Sequence, residues 1–594
     1  MIKTAKKWQV NEEKAWFKKW WPDDLPKNID KFEQITMGEF FERTRKEHGT
    51  LNHIWFSDSW FTYEESGQAI DMAATKLHDL GIRKGDVVGF LMPNCPQYII
   101  SYFACLKLGA IVVGINPSYK SLEVLHFAEI TNPKALICLE PLYNANIKPI
   151  INEIDIDFII ITELTDLVKG NLSFNEFITK ITQNIKKPNI DFKPSYNFYE
   201  LFTLEPSLPE VKIEPKCHPA QYLMTGGTTG LPKACIITHF NIVSMMKILV
   251  YRFGGKMPGL ASVGLNPMFH ISGTLNCINT SVAHGGYVFL FTKIPSVEEL
   301  LNIMEKLPTP EGVAMGIAEI MYKRIADFPE ITKYKKTLQK FKLNICGAGP
   351  LHKPIREKYE ALTGGKLVDA YGLTESTGFV SGGPFFSEYP VGTIGIPGPS
   401  IDWAIFDPDD FEEGPIADGL PGSKYGKEYS GELCACGPNV FKGFLTQPEE
   451  TADTLKEWDG RIWLRTGDIG YMNEDGTINL HDRKKQLIKV AGHSVFPTEV
   501  ETMLMKHEGV LDAAVAGLPD PEGKVGEIAK AWVQLKPEYK GKISEDELIA
   551  WMNENFTYWK CPKLVEFIEK IPKSMIGKVE RRTLQEADPL WKKK

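Results

Sequence analysis

The strongest constraint on the fold is an early alternation of strand-like and helix-like segments. Runs rich in β-branched and other apolar residues predict strands over 86–94, 110–116 and 134–139. The longer segments between them predict helices over 96–109 and 121–132. Strands that alternate with helices in this way form parallel sheets covered by helices. We therefore expect an α/β fold with layered, largely parallel sheets. The sequence shows no repeat of about 20–50 residues, which excludes a solenoid.

Chain length requires more than one domain. At 594 residues the chain exceeds the size at which a single hydrophobic core stops growing, about 250–300 residues. Late in the chain a charged strip precedes a glycine-containing loop and then Pro497, a residue type favoured at helix starts. Further on, Ser544 and Glu547 form a capping-box pattern ahead of an apolar helix face. We expect a large domain over residues 1–484 and a small α+β domain over residues 485–594.

Charge and cysteine content narrow the class of protein. The formal net charge of −8 and an isoelectric point near 5.9 exclude a general nucleic-acid binder, which would carry a basic surplus. The ten cysteines are scattered, and only Cys434 and Cys436 lie close together. No histidine cluster at zinc spacing accompanies them, so we expect packed thiols rather than a metal site. Unpaired thiols are typical of a reducing compartment, which predicts a cytoplasmic location.

Two apolar features of the sequence bear on membrane contact. The most hydrophobic run, residues 98–117, contains Lys107 and changes from a helix-like to a β-branched pattern. A buried helix followed by a buried strand explains this run better than a membrane span. Near the N-terminus, which lacks the apolar core of a signal peptide, we expect Trp16, Trp20 and Trp21 to pack on the main domain. Peripheral contact with a membrane surface remains an alternative for them.

The segment "TGGTTGLPK", residues 225–233, has the composition of a phosphate-binding loop. Glycines let backbone amides approach a ligand, threonines add hydroxyl donors, and lysine adds a positive charge. The spacing differs from the P-loop pattern, because Leu231 stands five residues after Gly226 and Ala234 follows Lys233. The loop therefore indicates polyphosphate binding of another kind.

Four further motifs follow in a fixed order. They are "DAYGLTES" (369–376), "WLRTGDIG" (463–470), in which Asp468 is predicted to lie in a glycine-flanked turn, "DRKKQLIKVAGHSVFPTEVE" (482–501) and "IPKSMIGKVERRTL" (571–584). Each alone could be an ordinary turn. Together with the first loop they resemble the acyl-adenylate-forming superfamily, which includes acyl-CoA synthetases, adenylation domains and luciferases. The resemblance extends from about residue 30 to about residue 590.

Within this superfamily the sequence is most similar to the long-chain fatty acid–CoA ligases. The similarity rests on the T-G-G-T-T-G spelling, on "FHISGTLNC" (269–277) and on "GTIGIPGPS" (392–400). Many superfamily members have Ser where this loop has Gly226, a change that the long-chain branch shares. The resemblance implies a β-barrel-like part beside the layered sheets, and a C-terminal domain that is mobile.

The resemblance also implies a nucleotide site. The residues expected around the ATP phosphates are Thr225, Gly226, Gly227, Thr228, Thr229, Gly230 and Lys233, the last as a mobile cation. The residues expected around adenine and ribose are Gly347, Ala348, Gly349, Asp369, Ala370, Tyr371, Gly372, Asp468 and Arg483. Among these, Asp369 would accept from the adenine amino group, Tyr371 would stack on the base, and Asp468 would accept from both ribose hydroxyls. Thr374 would contact the α-phosphate, and Glu375 with Thr228 would hold Mg²⁺, an ion that prefers oxygen ligands.

The remaining expectations from the resemblance concern the acid, CoA and the moving domain. Lys578 matches the catalytic lysine that bridges the attacking carboxylate and the α-phosphate, and Lys485 matches the hinge. The residues expected along the CoA path are Lys489, Gly492 and His493, and those expected at the acyl group are Phe269, His270 and Thr274. His270 stands where amino-acid-activating members have an Asp that binds the substrate ammonium, so an acid without that charge is expected. Thr274 occupies the position of a bulky gate residue in a related long-chain enzyme.

The sequence therefore predicts an acid–thiol ligase that uses ATP, Mg²⁺ and CoA to convert a fatty acid to its acyl-adenylate and then to acyl-CoA. Three alternatives stay open: a ligase for a medium-chain, branched or aryl acid, a luciferase-like oxygenase, and a non-catalytic acyl or nucleotide sensor. Retention of Lys578, Glu375 and the phosphate loop argues against the sensor. No nucleic-acid partner is expected, while a homodimer and a transient membrane contact are compatible with the sequence.

Overall fold

A computed structural model describes residues 8–23, 25–225, 233–347, 349, 351–385, 388–483, 486–490, 493–521, 527–556, 558–574 and 578–591. Within these ranges the side chains of residues 482, 483, 489, 493 and 494 are outside the description. No helix of the described residues is both long enough and apolar enough to cross a membrane.

The first third of the chain alternates helices and strands. The helices are α1 Ala15–Lys19, α2 Met37–His48, α3 Tyr63–Asp79, α4 Pro96–Lys107, α5 Ser121–Thr131, α6 Glu140–Leu142 and α7 Phe174–Thr182. The strands are β1 Asn52–Phe56, β2 Ser59–Thr62, β3 Val87–Leu91, β4 Ile111–Gly114, β5 Ala135–Leu139, β6 Phe158–Thr162 and β7 Ser195–Asn197. The three strands and two helices predicted from the alternation are confirmed as β3, α4, β4, α5 and β5. In α4 every residue except Lys107 is buried, as expected of a helix inside the molecule.

The middle of the chain continues the α/β pattern. Its strands are β8 Pro219–Thr225, β9 Lys233–Thr238, β10 Ala261–Gly264, β11 Tyr287–Leu290, β12 Val313–Ile317, β13 Phe341–Cys346, β14 Leu367–Tyr371, β15 Ser381–Gly382 and β16 Ile396–Pro397. Its helices are α8 His239–Arg252, α9 Ile271–Gly273, α10 Thr280–His284, α11 Val297–Lys306, α12 Glu319–Ala326, α13 Lys335–Leu338 and α14 Lys353–Thr363. A π-helical turn, Thr274–Asn279, joins α9 to α10.

Two layered sheets are built from these strands. One has the order β7-β6-β5-β3-β4-β8-β9 and is parallel except for the β8–β9 pair. The other has the order β16-β15-β14-β13-β12-β10-β11-β1-β2 and is parallel from β14 to β1. Parallel strands are covered on both faces, and β3 accordingly consists of five buried residues. The predicted α/β architecture with layered parallel sheets is confirmed.

An antiparallel sheet follows. Its strands are β17 Asp402–Phe406, β18 Pro415–Ala417, β19 Gly431–Cys436, β20 Leu455–Trp458, β21 Arg461–Met472 and β22 Ile478–Arg483, and α15 spans Pro448–Thr454. The order is β18-β17-β19-β21-β20, with β22 also paired to β21. This sheet stands where the resemblance implies a barrel-like part, and among the described residues no strand pairing closes it into a barrel. Cys434 and Cys436 lie on the same face of β19 and pack in a hydrophobic cluster with Trp463.

The N-terminal segment is fastened to the antiparallel sheet. The ring of Trp16 is completely buried and meets Trp403 of β17 edge to face at 5.9 Å between centroids. The ammonium group of Lys14 is buried beside Asp402 of the same strand, at 3.0 Å. The predicted packing of the N-terminal tryptophans on the main domain is thereby confirmed for Trp16.

The C-terminal part forms a small α+β unit. Its strands are β23 Ile488–Val490, β24 His493–Val495, β25 Val510–Pro519, β26 Glu527–Leu535 and β27 Leu564–Phe567, and its helices are α16 Pro497–Leu504, α17 Glu545–Asn555 and α18 Arg581–Ala587. Two hydrophobic clusters consist only of residues from 488 onward, so this part has a core of its own. The Ser544–Glu547 capping box is present at the start of α17.

Candidate active site

The glycine- and threonine-rich loop connects two antiparallel strands. The β8–β9 register places Thr225 directly opposite Lys233, so the loop leaves and re-enters the sheet at one point. Its residues Gly226, Gly227, Thr228, Thr229 and Gly230 lie outside the described residues. Lys233, expected to be a mobile cation, forms an ion pair with Glu450 of α15 and lies 5.4 Å from the Phe444 ring centroid. Phosphate binding by this loop stays a prediction.

The residues predicted around adenine lie at the carboxyl ends of two neighbouring parallel strands, the usual position of ligands in α/β sheets. Asp369 of β14 pairs in register with Cys346 of β13, and Gly347 follows directly. Asp369 accepts a hydrogen bond of 2.9 Å from the Tyr389 hydroxyl, which in turn accepts one from the Asp369 amide. Burial raises the pKa of Asp369 to about 6, against the lowering effect of the Tyr389 bond and of Arg356.

Glycine is required beside this site at one position. A side chain at Gly372 would place its Cβ 2.3 Å from the carbonyl oxygen of Gly378, closer than atoms can approach. Gly349 has open space at the corresponding point, and Gly347 has only an ordinary contact with Ala370. Ala348 lies outside the described residues.

The Asp468 carboxylate, predicted to bind ribose, lies next to Tyr371, which is predicted to stack on adenine. The Tyr371 hydroxyl donates a hydrogen bond to Oδ2 of Asp468, so both predicted residues share one site. Asp468 pairs in register with Arg483 of β22, whose side chain is outside the description. The predicted turn at Asp468 is wrong: Asp468 lies inside the twelve-residue strand β21. Gly467 has a φ of +73°, and the β19–β21 register shifts between Glu432 and Cys434, which marks a bulge rather than a chain reversal.

A tight turn holds Thr374 and Glu375. These residues begin a 3₁₀ turn after β14, with Thr374 buried and Glu375 half-buried. The turn is held by Asn439, whose buried amide donates to the carbonyl oxygens of Ser376 and Phe379, both at 2.9 Å. Nothing in the spacing of the motifs indicated Asn439 or Tyr389 as site residues.

The Glu375 carboxylate faces the start of β9. Its charge contributes to the raised pKa of the buried Cys235 thiol, two residues after Lys233. Glu375 is therefore on the side of the phosphate loop, as a ligand of nucleotide-bound Mg²⁺ would have to be. Such an ion needs only one or two protein carboxylates because phosphates and water complete its shell. Thr228, the other expected ligand, lies outside the described residues.

The residues predicted at the acyl group, Phe269, His270 and Thr274, follow β10 in the chain. Gly114 of β4 approaches Phe269 so closely that a Cβ there would lie 2.6 Å from the Phe269 Cα. The Nδ1 atom of His270 accepts a hydrogen bond of 3.2 Å from the Ser272 amide and lies 2.9 Å from its hydroxyl. The Thr274 hydroxyl is buried and donates to the Ile271 carbonyl oxygen at 3.1 Å.

Two small residues lie on β12 beside this segment. Ala314 and Gly316 are half-exposed, although β12 lies between β10 and β13 in the interior of the sheet. A Cβ at Gly316 would lie 3.1 Å from the amide nitrogen of Asn276, in the π-helical turn opposite. The Asn276 side chain therefore packs closely against the backbone of β12 at Gly316.

The positive charge of Lys578, on the small unit, acts on His270. Burial lowers the pKa of His270 to about 4, and the positive charge of Lys578 lowers it further. Lys578 itself is exposed, in a loop closed by a bridge between Lys573 and Val579. The structure therefore brings Lys578 towards His270. The small unit also touches the large one through an ion pair of 3.2 Å between Lys427 and Glu499.

The residues predicted along the CoA path lie in the β23–β24 hairpin region. Lys489 pairs with Ser494, and Val490 pairs with His493. The side chains of Lys489 and His493 are outside the description, and Lys485 and Gly492 lie outside the described residues. Their roles stay predictions.

Comparison with known proteins gives a consistent result. A model of the AMP-binding enzyme family matches residues 40–445, and a model of the AMP-binding enzyme C-terminal domain matches residues 499–578. A long-chain-fatty-acid–CoA ligase of Bacillus subtilis is 34% identical over 521 residues, which cover 86% of each chain. A protein of the same name from Salmonella typhimurium is 30% identical over 584 residues, covering 96% of this chain and 98% of the relative. The crystal structure of ATP-bound MatB from Rhodopseudomonas palustris shares the fold, with a TM-score of 0.75 at 22% identity over 93% of this chain and 99% of that chain.

Proposed function

The chain belongs to the AMP-binding enzyme family, and from this premise we propose that it is an ATP- and CoA-dependent ligase for long-chain fatty acids. Its products are acyl-CoA, AMP and pyrophosphate. The observation that carries the proposal is the effect of the Lys578 charge, from the small unit, on the buried imidazole of His270. A cation at that point is needed where a carboxylate and a polyphosphate, both negative, must meet.

In the first half-reaction a carboxylate oxygen attacks the α-phosphorus, and pyrophosphate leaves with the electrons of the broken P–O bond. Lys578 and Thr374 would compensate the charge that gathers around the α-phosphate. Lys233 would exchange its present partner Glu450 for the departing phosphates. Magnesium, held by Glu375 and Thr228, would neutralise part of the phosphate charge when bound.

The nucleotide is oriented by the carboxylates at the strand ends. Asp369 would accept from the adenine amino group in its ionised form, which predominates above pH 6 because its pKa is about 6. Asp468 would accept from the ribose hydroxyls in place of the Tyr371 hydroxyl. Tyr371, released from that bond, would present its ring to the base.

In the second half-reaction the CoA thiol attacks the acyl carbonyl carbon, loses its proton, and displaces AMP. The small unit would turn about Lys485 to bring Lys489, Gly492 and His493 to the pantetheine arm. The Lys427–Glu499 ion pair joins the two units in the present arrangement and would have to open for that turn.

The acyl group is expected to be long and uncharged. The segment 266–277 contains no charged residue, and the low pKa keeps His270 neutral at pH 7, so a substrate ammonium group would have no counter-ion. The half-exposed small residues Ala314 and Gly316 of β12 would border the groove that takes the acyl chain. Each buried methylene contributes about 0.8 kcal/mol to binding, which favours chains that fill the groove.

We also propose that the protein is cytoplasmic and contacts membrane surfaces transiently to collect its acid. The aromatic side chains of Tyr558 and Trp559 are 67% and 42% exposed, and the Lys563 ammonium lies 4.0 Å from the Tyr558 ring centroid. Aromatic rings beside a cation suit the interface of an anionic bilayer. Sedimentation with anionic vesicles should therefore be reduced in a Tyr558→Ser, Trp559→Ser variant, and unchanged sedimentation would contradict this placement.

Release of AMP from a panel of carboxylic acids tests the function directly. Acids from acetate to stearate, with benzoate as an aryl acid, are incubated with ATP, Mg²⁺ and CoA. We expect kcat/KM to rise steeply beyond octanoate and to level at the length of the groove. A maximum at or below six carbons, or with benzoate, would refute the long-chain assignment. Oxygen consumption with supplied acyl-adenylate would instead indicate the luciferase-like alternative.

A further inference from the structure

One arginine connects the loop that carries Lys578 to α16 and to Gln486. α18 begins at Arg581, three residues after Lys578. Its guanidinium donates to both oxygens of the Glu501 carboxylate, from Nε to Oε1 at 3.0 Å and from Nη2 to Oε2 at 2.7 Å. A third bond, from Nη1, reaches the side-chain oxygen of Gln486 at 3.0 Å. A bidentate pair with an additional bond fixes both the position and the plane of the guanidinium.

Glu501 is a buried acceptor with several partners. Only 6% of the residue is exposed, and it lies on α16. Besides Arg581, its Oε1 accepts a hydrogen bond of 2.7 Å from the Val515 amide on β25. The carboxylate therefore joins α16, β25 and α18 at one point. The Arg581–Glu501 pair is partly shielded from water, with 14% of the arginine side chain and 8% of the glutamate side chain exposed, so a displacement of Arg581 is energetically costly.

Gln486 gives this arrangement a second connection. It directly follows Lys485, about which the small unit is proposed to turn, and it precedes β23. A hydrogen bond thus joins Gln486, the first described residue after the predicted hinge, to Arg581, the first residue of α18. We expect the small unit to turn as one body from Gln486 onward.

The path from Arg581 to Lys578 is short and constrained. Only Val579 and Glu580 separate them, Val579 bridges Lys573, and the Glu580 amide donates to the Pro572 carbonyl oxygen at 3.0 Å. The Lys578 amide is itself bonded to the Ser574 hydroxyl at 3.2 Å. A shift of the guanidinium is therefore passed to the Lys578 backbone rather than absorbed in the loop.

We propose that Arg581 is a positioning residue that holds Lys578 at the reacting atoms during acyl-adenylate formation, by tying its loop to Glu501 and to the hinge-proximal Gln486. The inference rests on the proposed function, since it assigns a partner to the lysine of that reaction. Arg581 contacts neither ATP nor the acid in this assignment, so its effect must pass through Lys578.

Separate assay of the two half-reactions tests the proposal. Adenylation is followed by ATP–pyrophosphate exchange, and thioester formation by acyl-CoA release from chemically prepared palmitoyl-adenylate and CoA. We expect Arg581→Gln to lower kcat for adenylation about tenfold to hundredfold, because a displacement of about 1 Å has that effect on a reacting group. The KM values for ATP and palmitate should change little, and thioester formation should be largely retained. The matched control is Arg582→Gln, since the exposed Arg582 pairs only on the surface with Glu586 and the Trp591 ring.

Further variants separate positioning from folding. Gln486→Leu leaves the Arg581–Glu501 pair intact and should lower adenylation alone, by less than Arg581→Gln. The double variant should be no worse than Arg581→Gln, because both changes remove the same bond. Arg581→Lys, which keeps the charge but cannot make all three bonds, should recover part of the activity. Equal loss in both half-reactions, or wild-type adenylation in Gln486→Leu, would overturn the proposal. Absence of exchange in the wild-type enzyme with every acid would instead refute the proposed function.

Discussion

The hydroxyl of Tyr389 should set the pH at which the enzyme begins to use ATP. This hydroxyl donates to the Asp369 carboxylate at 2.9 Å and lowers a pKa that burial has raised to about 6. Tyr389→Phe removes the donor and keeps the ring, over which the Arg356 guanidinium lies at 4.9 Å. The pKa of Asp369 must then rise, because the ionised form loses a bond that the protonated form needs less.

The size of the change follows from that bond. A hydrogen bond to a charged group contributes about 1.5–3 kcal/mol, and about 1.4 kcal/mol corresponds to a tenfold change in the acid dissociation constant. The midpoint of the acidic limb for ATP use should therefore move from about pH 6 to about pH 7 or above. If the midpoint moves to about pH 7, the ionised fraction at pH 6.5 falls about threefold and the fraction at pH 8.5 hardly changes, and a larger shift enlarges both effects.

The assay is kcat/KM for ATP in pyrophosphate exchange, measured between pH 5.5 and 9 with saturating palmitate. The matched control is Tyr359→Phe, which removes another buried tyrosine hydroxyl whose partner is Asn344, at 2.9 Å. The control should keep the wild-type midpoint. Asp369→Asn removes the titrating carboxyl, so its pH profile should lack the fall in kcat/KM that this group causes at low pH. An unmoved or lowered midpoint in Tyr389→Phe would refute the assignment of the limb to Asp369.

Three other predictions concern the reacting groups and the acyl groove. Lys578→Ala should nearly abolish pyrophosphate exchange and spare thioester formation from supplied acyl-adenylate, since its charge is needed only while carboxylate and phosphate approach; equal loss in both would indicate a structural role. Gly492→Leu should block the pantetheine path, so thioester formation should be lost while pyrophosphate exchange is retained. Loss of exchange as well would contradict the placement of Gly492 on that path. Gly316→Leu should fill the groove opposite Asn276, where even a Cβ would lie 3.1 Å from the amide nitrogen, and lower kcat/KM for palmitate far more than for octanoate. An equal loss of kcat/KM for both acids would show that the acyl chain binds elsewhere.

The sequence predicted the elements whose pattern is local and periodic. The strands β3, β4 and β5 and the helix α4 were identifiable because each is buried on all sides and its composition differs from that of its neighbours. Asp468 was misplaced because a glycine before an acid is equally compatible with a turn and with a bulge inside a strand. Only the pairing of β21 with β19 distinguishes the two, and pairing is not a local property.

The site residues that escaped prediction are distant in sequence from the groups they hold. Tyr389 lies 20 residues from Asp369, and Asn439 lies 63 residues from Ser376, in segments without a motif. Their roles depend on which strand ends the topology brings together. The same is true of Glu450 beside Lys233, and of the arrangement that brings Lys578 towards His270.

The packing of Trp16 against Trp403 shows that the unit that folds is larger than the part that the family model matches. The family match begins at residue 40, yet the completely buried indole of Trp16 and the buried ammonium group of Lys14 precede it. A chain that begins at residue 40 would expose the Trp403 ring. Asp402 would lose Lys14 and keep Arg461 as its partner, at 2.8 Å. An apolar surface on a sheet favours association between copies of a protein. The boundary of the family model is therefore a poor guide to where this protein can be cut, and fragments for crystallisation or display should retain α1.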